Sequence, residues 1–173
     1  MMSLSTVFWM LLIITGIIGG SRGWAREILV LFSLILAMCI NALIGQFLPE
    51  IDGMLRTQAP VFQFYARATL FMLLAFFGYE GPSISSALAS KGKREKLQDI
   101  LLGFCLGMLN GYLLVGTLWH YMAEAGYPIP GVTPPVDPAV ANYLNVMPQN
   151  IVGVPLIYFI TVASFVFVLV VFL

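Results

Sequence analysis

The apolar positions of this chain fall into long unbroken runs, not into alternation. Residues 1–21 carry no charge, and neither do 28–49, 100–123 or 138–173. The first three runs each meet the roughly 20 residues a helix needs to cross a bilayer. The fourth opens with prolines, and only its last part, 155–173, is apolar enough to span. A further run, 61–79, is interrupted by Arg67. The pattern predicts five helices. Helices satisfy their own backbone in lipid, which offers no partner groups, and the dyad alternation of barrel strands is missing. The expected fold is all-α: a polytopic transmembrane helix bundle of four to five spans.

Composition agrees. The chain of 173 residues is 60% hydrophobic and 9% charged, where a soluble domain carries roughly 25% charged residues. The formal net charge is zero, so no nucleic-acid partner is expected. Nothing before Arg22 is basic, so the first run lacks the positive segment of a signal peptide. It is expected to stay as a span, although Gly19 and Ser21 weakly mimic a cleavage site. Cys39 and Cys105 sit in apolar runs and read as small buried hydrophobes. Without histidines nearby they form no metal pattern.

The basic residues set the orientation. Arg22 and Arg26 lie between helices 1 and 2, and Lys91, Lys93, Arg94 and Lys96 between helices 3 and 4. Five spans place these segments on one side, with only Arg56 opposite. By the positive-inside rule that side is the cytoplasm, so the N-terminus is expected outside and the C-terminus inside. The outer side then holds 48–60, with Glu50, Asp52 and Arg56, and a loop at 124–150 with six prolines from Pro128 to Pro148. So many prolines rule out a long helix and predict an extended or turn-rich strap on the outer surface; it is read either as a plain connection or as a docking surface for a partner. The organisation expected is a four-helix membrane domain at 1–123, the Pro-rich extracytoplasmic loop at 124–150 and a C-terminal transmembrane helix at 151–173. The chain ends in FVFVLVVFL without a charged flank, as a helix stopping at the membrane face or a fragment would.

Small residues recur at helical spacing. Gly103, Gly107 and Gly111 repeat every fourth residue, and Gly16 with Gly20 and Gly19 with Gly23 repeat that spacing near the first turn. In lipid, such ridges let two helices approach closely. Between them sits a charge cluster, Arg22 to Glu27. Gly23 suggests a turn, so helix 2 starts near Trp24 with its unsatisfied N–H groups and positive dipole end beside two arginines. Glu27 is placed to balance the dipole and to pair with an arginine. Arg22, Arg26 and Glu27 thus read either as positive-inside anchors or as an anion site for a lipid headgroup or a partner's carboxylate.

These same residues, Arg22-Gly23-Trp24-Ala25-Arg26-Glu27 with Asp99 and the Gly103, Gly107, Gly111 ridge, resemble the colicin V production protein family over about residues 4–120. The resemblance implies a multi-pass protein of the bacterial cytoplasmic (inner) membrane linked to colicin V export and envelope homeostasis. It carries no defined molecular activity with it. Two positions depart from the family pattern: Ile100 and Asn110 stand where the family tends to be basic. The family's C-terminal segment is also usually more polar than 155–173.

Other chemistry is sparse. His120, the lone histidine, could ligate a haem or pigment metal, but Trp119 and Tyr121 beside it read as an interfacial aromatic belt. Arg67 lies about 10 Å into its helix, counted from Pro60. It is either a functional intramembrane charge or one that snorkels to the headgroups. Glu80 before Gly81-Pro82 marks a helix end. No nucleophile elbow and no HExxH is present, and Glu95 and Asp99 fall in a segment, 91–99, that reads as solvated and headgroup-facing. No enzymatic activity and no cofactor are expected. Two functions fit: a transport or envelope-maintenance protein assembling through helix contacts, or a structural accessory subunit of a larger membrane complex. Membrane lipids, a second copy of the chain and other membrane subunits are the expected partners. Scarce intramembrane polar residues favour the subunit, since an ion pathway needs polar lining.

Overall fold

The computed structural model describes residues 3–79 and 96–172. Its described residues form helices α1 (Leu4–Arg22), α2 (Trp24–Phe47), α3 (Pro49–Arg56), α4 (Pro60–Tyr79) and α5 (Lys96–Glu124). Short helices α6 (Pro138–Ala141) and α7 (Pro148–Ile151) flank a 3₁₀ turn at Asn142–Val146, and α8 (Leu156–Phe172) follows. Four helices, α1, α2, α4 and α5, are long and apolar enough to cross a membrane. The fifth expected span, α8, has 17 residues, short of the roughly 20 that a full crossing needs.

Local chemistry explains the boundaries. Ser3 caps α1, its hydroxyl accepting from the Thr6 N–H at 3.2 Å. Gly23 separates α1 from α2 with φ +85°, a left-handed conformation that glycine adopts at little cost. Leu48 precedes Pro49 and leaves the helical region, as a residue before proline tends to do. Pro49 and Pro60 each open a helix, where their missing N–H costs nothing.

The segment after Pro49, to which the sequence pattern assigned no element, is the helix α3. Glu50 and Asp52 lie in its first turn and Arg56 in its last, which suits the dipole, and Asp52 accepts from Arg56 Nε at 2.6 Å. Ile51 and Met54 are exposed, so α3 lies as an amphipathic element at one end of the bundle.

α1 packs along α5, and α2 sits centrally against α4, α5 and α8. Val30, Leu34, Ala37 and Phe71 are fully buried where these helices meet. One end of the bundle gathers Arg22, Tyr79 and Asp99; the other gathers Asp52, Arg67 and Glu124. α8 runs from the second end along α2, with the Tyr158 hydroxyl on Gln46 at 2.7 Å and Phe165 against Phe32 at 6.1 Å.

The Pro-rich segment has no long helix and is turn-rich, as expected, and most of it is exposed or half-buried. It is pinned to the bundle near its end. Met147 and Pro148 are buried beside Gly116, where an added Cβ would stand 2.6 Å from Pro148 Cδ. Tyr112 donates to the Val146 carbonyl. Gly116 is the groove that admits the loop.

Candidate functional site

Among the described residues, ion pairs form two clusters, one at each end of the bundle. The first is built on the α1–α2 turn. Gly23 offers no side chain to cap α2. Asp99, from the first turn of α5, does so instead, with Oδ1 accepting from the Trp24 N–H at 3.0 Å. A Cβ on Gly23 would stand 2.9 Å from that same oxygen. Thus glycine is required twice here, for its φ and for the closeness of Asp99.

Arg22 donates to Glu27 Oε1 at 3.1 Å and to the Tyr79 carbonyl at 3.4 Å. Its guanidinium lies over the Tyr79 ring, 4.7 Å from the centroid, an arrangement that adds a cation–π attraction. Glu27 is 2% exposed. A carboxylate so buried is costly unless paired and hydrogen-bonded. The second condition is met from α5: Asn110 Nδ2 donates to Glu27 Oε2 at 2.8 Å and to the Glu27 carbonyl at 2.9 Å. Arg26 is exposed on the first turn of α2.

Of the residues expected to hold an anion, Arg22 and Glu27 pair with one another, the pairing the sequence predicted. Asp99 occupies the N-terminus of α2, and Glu27 takes Arg22. The expectation of a solvated 91–99 segment changes at Asp99, which is a cap, since α5 begins at Lys96; Lys91, Lys93, Arg94, Glu95 and Glu80 with Gly81-Pro82 lie outside the described residues.

The two glycine series meet one another. Gly16 and Gly19 of α1 face Gly103 and Gly107 of α5, and Thr15 faces Gly107 and Gly111. A Cβ on Gly103 would come within 2.5 Å of the Gly19 carbonyl oxygen, and one on Gly107 within 2.5 Å of the Thr15 carbonyl oxygen. Backbone cannot yield as a side chain can, so these glycines set how close α1 and α5 approach. The ridge is used inside the chain and carries no argument for an oligomer.

The second cluster surrounds Arg67. Its terminal nitrogens donate to Asp52 Oδ1 at 3.0 Å and to Glu124 Oε2 at 2.6 Å. The side chain is 21% exposed, so it is held between α3 and α5 and does not snorkel freely. His120 Nε2 lies 3.5 Å from Glu124 Oε1. Burial pushes the Asp52 carboxyl up, but the hydrogen bond and charge of Arg56, with Arg67, hold it below the usual range. The same Asp52 contact raises Arg56. Beside this cluster a cavity of about 830 Å³ opens between α2, α3, α4 and α5.

Two aromatic assignments change. Trp119 and Tyr121 are 3% and 4% exposed and do not form a belt. Trp119 packs on Phe8 at 5.6 Å and Tyr121 on Phe71 at 6.2 Å, because α5 turns both toward neighbouring helices. Cys39 is buried as expected, but Cys105 is exposed.

A family model described as colicin V production protein matches residues 4–145. The chain belongs to the colicin V production protein family. The match takes in both polar clusters and the glycine contact and ends in the 3₁₀ turn, before α8. No curated protein and no solved structure matches the chain. Asn110, one of the two departures from the family pattern, is the residue that binds Glu27. Sequence reading passed over Asn110, Asp52 and Glu124 as site residues. A lone amide inside 24 charge-free residues was the signal for the first, and the i, i+4 spacing of Asp52 and Arg56 for the second.

Proposed function

We propose that the protein is a multi-pass scaffold of the bacterial inner membrane, serving export or envelope homeostasis through assembly with other membrane components and without catalysis. The Arg22 end faces the cytoplasm and the Arg67 end outward, a reading supported by the bias of basic residues along the sequence. The observation that carries the reading is the internal pairing of the charges in the two clusters. Glu27 is held by Arg22 and Asn110, and Arg67 by Asp52 and Glu124. Between the clusters lie Val30, Leu34, Met38 and Phe71, all buried and apolar, with the hydroxyls of Ser33 and Thr117 buried among them. Pathways for ions need polar lining, and two separate hydroxyls supply little of it.

A second reading is favoured by α8. Phe159, Val162, Val166 and Val170 are all exposed on it, giving an apolar surface on which a larger complex could seat this chain as an accessory subunit. Purification at native abundance in mild detergent tests both. A small assembly with export or envelope proteins supports the scaffold, and a stoichiometric large complex supports the subunit. Ion conductance by the purified chain in planar bilayers would contradict both.

A further inference from the structure

We infer that the cavity beneath α3 is a binding site for a zwitterionic aminophospholipid, with its phosphate on Arg56 and its ammonium on Glu124. The cavity's size, about 830 Å³, falls within the roughly 300–1,000 Å³ of ligand sites. Its wall combines apolar and charged groups: Ile44, Ile51, Leu55, Phe62 and Leu70 on one hand, and Asp52, Arg56, Arg67, His120 and Glu124 on the other. An amphiphile matches that mixture, and its acyl chain would lie along the apolar group. Ile51 and Met54 are 52% and 70% exposed on α3. Apolar exposure on an amphipathic helix belongs at the headgroup boundary, so the cavity lies at the depth of a lipid headgroup.

Charge selects the headgroup. Arg56 and Arg67 balance Asp52 and Glu124, so a ligand of zero net charge leaves the site balanced, and an anionic lipid does not. Arg67 spends both terminal nitrogens on carboxylates. Arg56 gives Asp52 only its Nε and is 69% exposed, which leaves its terminal nitrogens for a phosphate, the fork geometry suited to such oxygens. Glu124 is 47% exposed and, with one contact to each oxygen, keeps lone pairs for a primary ammonium.

The test is native mass spectrometry of the full chain in detergent with equal amounts of phosphatidylethanolamine, phosphatidylglycerol and diacylglycerol of matched chains. Phosphatidylethanolamine should be retained in preference. Arg56→Gln and Glu124→Gln should each weaken that retention about tenfold, the loss of one charge-assisted hydrogen bond. Arg56 is exposed and its replacement leaves the Arg67 contacts intact, so Arg56→Gln decides the matter even if Glu124→Gln fails to fold. Equal retention of phosphatidylglycerol or diacylglycerol, or full retention by folded Arg56→Gln, would overturn the proposal.

Discussion

Asn110 of α5 reaches Glu27 of α2 twice with one amide nitrogen, at the carboxylate and at the backbone carbonyl. Both side chains are essentially inaccessible. The contact joins two helices through a buried charge whose other oxygen belongs to Arg22. Asn110→Leu would leave Glu27 Oε2 without its donor in an apolar setting. An orphaned buried acceptor costs about 1–3 kcal/mol, more when charged. The variant should insert normally but melt several degrees lower in detergent by tryptophan fluorescence. An unchanged midpoint would show that the amide does not hold the carboxylate.

Arg22 makes three contacts that a lysine cannot make together: Glu27, the Tyr79 carbonyl and the face of the Tyr79 ring. Charge alone is kept in Arg22→Lys; the planar fork is not. This variant should therefore lose about 1–2 kcal/mol, one charge-assisted contact, in reversible unfolding with denaturant. Wild-type stability would reduce Arg22 to a membrane-side anchor.

Gly107→Leu drives a side chain into the Thr15 carbonyl and the Gly19 backbone. Overpacking commonly costs about 1–3 kcal/mol where neighbours can shift, and backbone shifts less readily. Size-exclusion chromatography should show loss of the folded species. Leu109→Ile, at an exposed position of the same helix, should elute as wild type. Equal behaviour of the two would remove the glycine contact from the account.

Acid should act at the other end. The Asp52 carboxyl is held below its ordinary 3.8 by Arg56 and Arg67. A carboxyl lowered by folding contributes stability that is complete above the unfolded value and lost as pH falls through the folded one. The melting midpoint should thus decline as pH drops below about 4, and Asp52→Asn should flatten that part of the profile. A profile identical in the two proteins would deny Asp52 this role.

Four spans were legible because lipid imposes both length and apolarity, which leave long apolar runs. Arg67 breaks the run of α4, however, and α8 proved shorter than its apolarity suggested. Gly23 was legible as a turn because glycine adopts positive φ at little cost. What the glycine series face was not: periodicity shows that a surface is smooth, not which surface meets it. The Arg67 cluster was hidden by distance along the chain, since its carboxylates lie 15 and 57 residues away. Helix α3 has only 8 residues, too few for a clear periodic signal. The aromatic neighbours of His120 looked interfacial because sequence places them near a helix end but does not say that Phe8 and Phe71 cover them.

The central claim is that the two polar clusters stand at opposite membrane faces, the Arg22 end in the cytoplasm. It is tested most directly by labelling single cysteines with a membrane-impermeant thiol reagent after Cys39 and Cys105 are replaced by alanine. Gln98→Cys reports the Arg22 end and Thr133→Cys the loop beyond the Arg67 end; both positions are exposed. The account predicts that Thr133→Cys reacts in cells with a permeable outer membrane, and that Gln98→Cys reacts only once the inner membrane is broken. Reaction of both in unbroken cells, or the reverse order, would contradict it.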